Sequence, residues 1–196
     1  MTVAVIELNT PRLRLRQWRA SDRAPFAALN ADPRVRAHFP ALLSRAESDA
    51  SMDRCQAMLR QRGWGNWAVE LRSRPQFIGF VGLSVPALEM PFSPCVEIGW
   101  RLAHAYWGQG YASEAARAAL RVGFEQVGLE EIVSFTALGN TPSQAVMQRI
   151  GMHRAEDFEH PGLPPSHRLR THCLYRLSKA QWQALPSAEA AQPASA

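Results

Sequence analysis

The chain has 196 residues, 46% of them apolar, with a formal net charge of +5. That length suits one domain with a sizeable buried core. No apolar run approaches the roughly 18 residues of a membrane span, and Met1–Glu7 lacks the basic start and long apolar stretch of a secretion signal, so the expectation is a soluble, cytoplasmic protein.

Cys55, Cys95 and Cys173 are odd in number and form no C-x-x-C pair, which argues against both a disulfide framework and a zinc site. Lys179 is the only lysine, so the positive charge is carried by arginines scattered along the chain. Scattered arginines make a solvated basic surface or suit a phosphorylated ligand; they do not mark a specific nucleic-acid partner.

Leu13 and Leu15 alternate with Arg12, Arg14 and Arg16, the period of a half-buried strand. Ser21-Asp22 offers a cap for a short helix to about Asn30, stopped by Asp32-Pro33, and a second helical region covers Glu47 to Arg62 before Gly63. Trp64–Leu71 and Phe77–Leu83 read as a hairpin around Arg72–Gln76, and the three prolines of Pro86–Pro94 mark a loop. In Cys95–Leu102, Val96, Ile98, Trp100 and Leu102 share one face, with Glu97, Gly99 and Arg101 on the other.

Beyond a glycine loop, Ala112, Ala115, Ala116, Ala119, Gly123 and Val127 recur at helical spacing, small enough for close packing on a sheet. Ile132–Ala137 is the next strand. Thr141-Pro142-Ser143-Gln144 reads as a capping box with proline at the first position of a short helix, which Gly151 closes. Strands near Met152–Phe158 and Leu169–Leu177 follow, joined by the loop Glu159–His167. Residues 1–9 form an N-terminal extension, 10–180 the domain, and 181–196 an alanine-, serine- and proline-rich tail expected to be disordered. Together the elements predict an α+β domain with a mostly antiparallel sheet and one β-loop-α-β crossover.

The stretch Glu97–Ala112 carries the chemistry. A strand enters, glycines let the backbone approach a ligand, and a helix starts where its free N–H groups and dipole attract an anion; a pyrophosphate fits there. The Walker pattern fails, because Gly110 is followed by Tyr111 and Ala112 rather than lysine and a hydroxyl residue. The dinucleotide fingerprint has Ser113 in place of its third glycine, and Glu130 and Glu131 begin the next strand instead of ending it. His160, His167 and His172 match no common metal-ligand spacing, so no metal is expected; their loop either borders an acceptor pocket or is an ordinary surface loop.

Trp107-Gly108-Gln109-Gly110-Tyr111-Ala112 resembles the acyl-CoA loop of the GNAT N-acetyltransferases, Gln/Arg-x-x-Gly-x-Gly/Ala, with Gly110 and Ala112 matching and Trp107 in the first place. Glu97-Ile98-Gly99-Trp100 and Glu114-Ala115 resemble the RimJ/RimL-like subgroup, the ribosomal-protein N-terminal acetyltransferases. Thr10–Arg16, Asn140–Ser143, Ile150–Met152 and Tyr175 extend the likeness over nearly the whole chain except the tail.

The resemblance implies a mixed sheet of about seven strands flanked by helices and splayed between strands four and five, where the pantetheine arm of acetyl-CoA lies. Ile98, Trp100 and Leu102 would border that arm. The amides of Trp107, Gly108, Gln109, Gly110, Tyr111 and Ala112 would hold the pyrophosphate, with Asn140 and Ser143 near the thiol. It implies an acetyl-CoA-dependent enzyme, with no metal, acetylating a primary amine, either a protein N-terminus or a small molecule, in a ternary complex. A homodimer is the base-rate expectation.

Acetyl transfer needs a neutral amine, a stabilised carbonyl oxygen and a proton for the thiolate. Glu97, opposite the Val96/Ile98 face, is the candidate base; a surface carboxylate is the competing reading. Where the family places a tyrosine acid the chain has Met147, so Ser143 or Tyr175 takes that role, or no residue does. Read from the residues alone, Asn140 is a turn residue, Ser143 a first-turn residue and Tyr175 a packed aromatic. The missing tyrosine also admits a catalytically silent acyl-CoA sensor as the alternative function.

Overall fold

In the computed structural model, residues 3–186 are described. Leu13–Arg16 (β2) forms as the alternation predicts, preceded by Leu8–Asn9 (β1), which pairs antiparallel with it. Next come the helices Arg23–Ala31 (α1) and Arg45–Arg62 (α2). Ser44 caps α2 in a capping box with Glu47, and Gly63 ends it at φ 78°. Asn66–Leu71 (β3) and Phe77–Ser84 (β4) make the expected hairpin, and Glu97–Leu102 (β5) pairs antiparallel with β4.

Tyr111–Arg121 (α3) continues through a π-helical turn, Val122–Gln126, back toward Glu131–Ala137 (β6). Ala115, Ala116 and Ala119 are fully buried against the sheet. A Cβ on Gly123 would sit 2.6 Å from Ile132 Cδ1, so the crossover returns without room for a side chain there. Thr141–Arg149 (α4), His153–Glu159 (β7), Thr171–Ser178 (β8) and Lys179–Ala184 (α5) complete the chain. The tail expected to be disordered from residue 181 starts instead within α5, so 181–184 are helical, and 187–196 lie outside the described residues.

The sheet has eight strands in the order β1-β2-β3-β4-β5-β6-β8-β7, flanked by helices in an α+β architecture. The strand beyond the expected seven is β1, whose two residues are too few to show an alternation. All pairings are antiparallel except that of β5 with β6. Ladder pairing there is confined to Glu97 opposite Val133, whereas β4 and β5 stay in register from Gly79–Leu102 to Ser84–Glu97. The sheet is therefore splayed between the strand before the glycine loop and the strand after α3, as the family resemblance implies.

Two expectations are corrected. Asn140, not Thr141, caps α4: its Oδ1 accepts from Ser143 N–H at 3.4 Å, which moves Pro142 to the second helical position. Arg16 is not on a solvent face but 2% exposed. Its guanidinium donates to Asp22 Oδ1 and Oδ2 at 2.9 and 2.7 Å and to Glu70 Oε2 at 2.8 Å, a buried network joining β2, β3 and the turn before α1. Trp67, Leu83, Ile98 and Leu120 belong to the apolar core, each contributing about 1.5–3 kcal/mol by burial.

Candidate active site

The loop after β5 takes its shape from two glycines in the left-handed region, Gly108 at φ 72° and Gly110 at φ 79°. Gly110 is the N-cap of α3, so the amides of Tyr111, Ala112 and Ser113 have no partner within the helix. Those of Gly108, Gln109 and Gly110 likewise donate to no acceptor among the described residues. The result is a run of free N–H groups at the positive end of a helix dipole, a donor set that fits a diphosphate. Trp107, 41% exposed, bends its indole back to donate to Leu102 O at 2.8 Å.

Just before β5, Val96 O accepts from Val133 N–H at 2.9 Å, and on it Ile98 O accepts from the Ser134 hydroxyl at 2.9 Å, so the even-numbered residues turn their backbone groups toward β6. Beyond Ile98 the strands part, and Trp100 is left with N–H and C=O facing the gap without partners among the described residues. An extended ligand finds a strand edge to pair with there.

A cleft of about 1320 Å³ joins this gap to the glycine loop. Glu97 and Ser143 line it, as do Trp100, Leu102 and Asn140, together with Trp107, Gly108, Gly110, Tyr111 and Ala112 of the loop. Ile98, Gln109 and Tyr175 are not among its lining residues. Ile98 is fully buried beneath it, and Gln109 folds its amide onto Ala105 O at 3.0 Å. The Tyr175 hydroxyl is held 3.4 Å from both Gln144 Oε1 and Gln148 Nε2. Both ends of the Asn140 amide are engaged, by Ser143 N–H and by the Thr136 hydroxyl at 2.8 Å.

Glu97 has no hydrogen-bond or ion-pair partner among the described side chains, and enclosure within the protein pushes its carboxyl up to about 8. A carboxyl that titrates near neutrality and opens on a cleft is matched to proton transfer. The structure adds groups that the motifs did not indicate. Arg101 and His38 line the cleft, and Arg12, just before β2, reaches the loop and donates to Gln109 O at 2.9 Å. Arg101 was foreshadowed by its place on the Glu97 face of β5; His38 and Arg12 have no local signal. The His160 loop borders the cleft through His160 and Leu163, and Arg168 ties it to the α1–α2 segment by donating to Ala37 O at 3.1 Å. Among the described residues no cluster of three metal-ligating side chains occurs and no helix is long and apolar enough to cross a membrane.

Residues 12–153 match the family model described as an acetyltransferase (GNAT) domain. The uncharacterised protein YkkB of Bacillus subtilis is 32% identical over 151 residues, covering 76% of this chain and 87% of its own length. The FsC-acetyl coenzyme A-N(2)-transacetylase of Aspergillus fumigatus is 34% identical over 125 residues, 61% of this chain and 52% of that protein. Among solved structures, a GNAT-family acetyltransferase from Bacillus anthracis superposes with a TM-score of 0.75 at 24% identity, covering 89% of this chain and 99% of the other. RimJ of Mycobacterium smegmatis, solved with CoA-disulfide, superposes at 0.69 and 20% identity over 89% of this chain and 84% of its own. The chain belongs to the GNAT acetyltransferase family and is an acyltransferase.

Proposed function

We propose that this enzyme moves an acetyl group from acetyl-CoA to a primary amine, both bound together in the one cleft. The observation that carries the reading is the continuity of that cleft from the unpartnered amides of Gly108–Ser113 to the unpartnered carboxyl of Glu97. The amides hold the pyrophosphate, and the open edge at Trp100 and Leu102 borders the pantetheine arm. Bound acetyl-CoA supplies the activated thioester. No cysteine lines the cleft to carry the acetyl group as an intermediate, which favours direct transfer.

Glu97, once deprotonated, takes the proton from the incoming ammonium, directly or through water, and leaves a neutral amine. Ser143 gives the departing thiolate a proton, a role supported by its place in the cleft lining and by a hydroxyl that donates to no protein acceptor among the described residues. The remaining acceleration comes from holding the two substrates in line. Thiol release from acetyl-CoA, followed against a panel of primary amines and N-terminal peptides, tests the reading. Amine-dependent release supports it, and CoA binding without release on any acceptor rejects it in favour of a silent sensor.

A further inference from the structure

Glu97, Gly99 and Arg101 share one face of β5, and that face looks into the cleft. Gly99 leaves the space between its two neighbours open: a Cβ built there meets only Glu97 Oε1, at 3.9 Å. The Glu97 carboxyl thus lies over Gly99, and Glu97 and Arg101 flank a floor without a side chain.

Arg101 is enclosed yet has no acid to pair with. Its Nη1 donates to Asn30 Oδ1 at 2.8 Å, its Nε is shut from solvent without any acceptor, and no carboxylate forms an ion pair with it among the described residues. The guanidinium lies over Phe39 and Phe80, 4.2 and 5.2 Å from their ring centres, cation–π contacts that help to hold it in place. Desolvation, with Arg36 nearby, pulls it down to about 9. Arg34 and His38 also line the cleft, and His38 Nδ1 is buried without a partner among the described residues. A buried guanidinium without a counter-ion is costly, and a planar carboxylate is the group that satisfies its fork.

We infer that the acceptor is a primary amine that also carries a carboxylate, the amine meeting Glu97 and the carboxylate meeting Arg101 across Gly99. This rests on the acetyltransferase reading of the same cleft and narrows its acceptor class. A free amino acid or short peptide and the acidic N-terminus of a protein present the same pair of groups.

The test compares matched acids and amides: glycine and glycinamide, β-alanine and β-alaninamide, glycylglycine and glycylglycinamide, and hexapeptides beginning Ala-Asp and Ala-Asn. The small amides hold more neutral amine at neutral pH, so intrinsic reactivity works against the expected preference. Wild-type enzyme is expected to release thiol with at least one acid at a kcat/KM on the order of 10-fold or more above its amide, the scale of a lost charged hydrogen bond. The member preferred tells a small-molecule source from a protein N-terminus. Arg101→Gln is expected to bring that ratio to about one with CoA affinity kept, and Arg101→Lys to retain part of it.

Equal use of acids and amides by the wild type overturns the inference, as does a preference that survives in Arg101→Gln. In both cases amine-dependent thiol release leaves the transferase reading standing. Should none of these amines be acetylated, thermal midpoints of CoA-loaded wild-type protein with the same pairs decide: larger stabilisation by the acids supports the carboxylate site, and equal shifts reject it. A purely structural stacking role for Arg101 moves neither ratio nor differential shift.

Discussion

Arg12 and Glu114, 102 positions apart in sequence, meet at 2.6 Å beneath the glycine loop. Glu114 Oε1 also accepts from Arg12 N–H at 2.9 Å and from the Thr10 hydroxyl at 2.5 Å, and Arg12 Nη1 reaches Gln109 O at 2.9 Å. The segment leading into β2 is thereby stitched to the first turn of α3 and to the glycine loop that precedes it. Half-exposed, the ion pair itself contributes under about 1 kcal/mol to stability. Its larger effect falls on the loop: Arg12→Ala is expected to weaken CoA binding by roughly 3- to 10-fold with the melting midpoint nearly unchanged, about 1 kcal/mol of positioning. Calorimetry and a thermal melt on the same variant check both halves, and unaltered CoA affinity rejects the positioning role.

For Glu97, burial sets a definite pH dependence. With its carboxyl raised to about 8, the free enzyme holds a proton at neutrality, so wild-type kcat/KM rises with pH through that region. Glu97→Gln is expected to lose about 10²-fold in kcat and to abolish that limb, with CoA affinity kept. The same shift predicts a stability effect of opposite sense. A carboxyl whose folded value lies above its unfolded one binds its proton more tightly in the folded state, so its contribution is complete below pH about 4.5 and lost as pH rises through about 8. Melting curves from pH 5 to 9 should therefore show Glu97→Gln gaining on the wild type, by on the order of 5 °C at the alkaline end. A constant difference across that range contradicts the assigned environment.

Asp22 carries a different kind of load. It is 2% exposed and accepts both nitrogens of the buried Arg16 fork. Asp22→Asn leaves Arg16 with Glu70 as its one remaining acidic partner, and removing one member of a buried pair costs about 3–5 kcal/mol. Denaturant unfolding at pH 7 should register that loss; a change below about 1 kcal/mol would show the network to be solvated in solution.

Ser143 and Tyr175 separate cleanly by position. Ser143→Ala is expected to lower kcat by 10-fold or more with KM little changed, the signature of a group acting in the transition state. Tyr175→Phe is expected to leave turnover unchanged, since its hydroxyl lies between Gln144 and Gln148 rather than among the groups lining the cleft. Steady-state kinetics with one acceptor decides; a large kcat loss in Tyr175→Phe would return that residue to the site.

Much of the fold was legible because its signals are local. Alternation marked β2 and β5, glycines marked the loop and the end of α2, and the small residues of α3 marked its close approach to the sheet. The splay and the loop's assignment to coenzyme A came from family resemblance, since no spacing in a strand reveals where its neighbour parts from it. What stayed hidden depends on contacts between distant segments. The buried state of Arg16 needs Asp22 and Glu70 together; period two alone assigned it to solvent. The cap of α4 was misplaced by one residue because Asn140 and Thr141 both suit the role, and the Thr136 hydroxyl that orients Asn140 comes from β6. Arg101 was visible as a neighbour of Glu97 on one strand face, but its lack of an acid partner is a three-dimensional fact.

The account depends most on the free amides between β5 and α3 gripping the diphosphate of coenzyme A. Titration calorimetry of the folded protein with CoA and acetyl-CoA tests this directly, with Gly110→Val as the comparison, because φ 79° at that position strains any β-branched residue. Saturable binding of both ligands by the wild type, lost in a Gly110→Val protein that still melts cooperatively, is the predicted result. Absence of any binding heat in the folded wild type across a range of temperatures, or normal affinity in Gly110→Val, would contradict it.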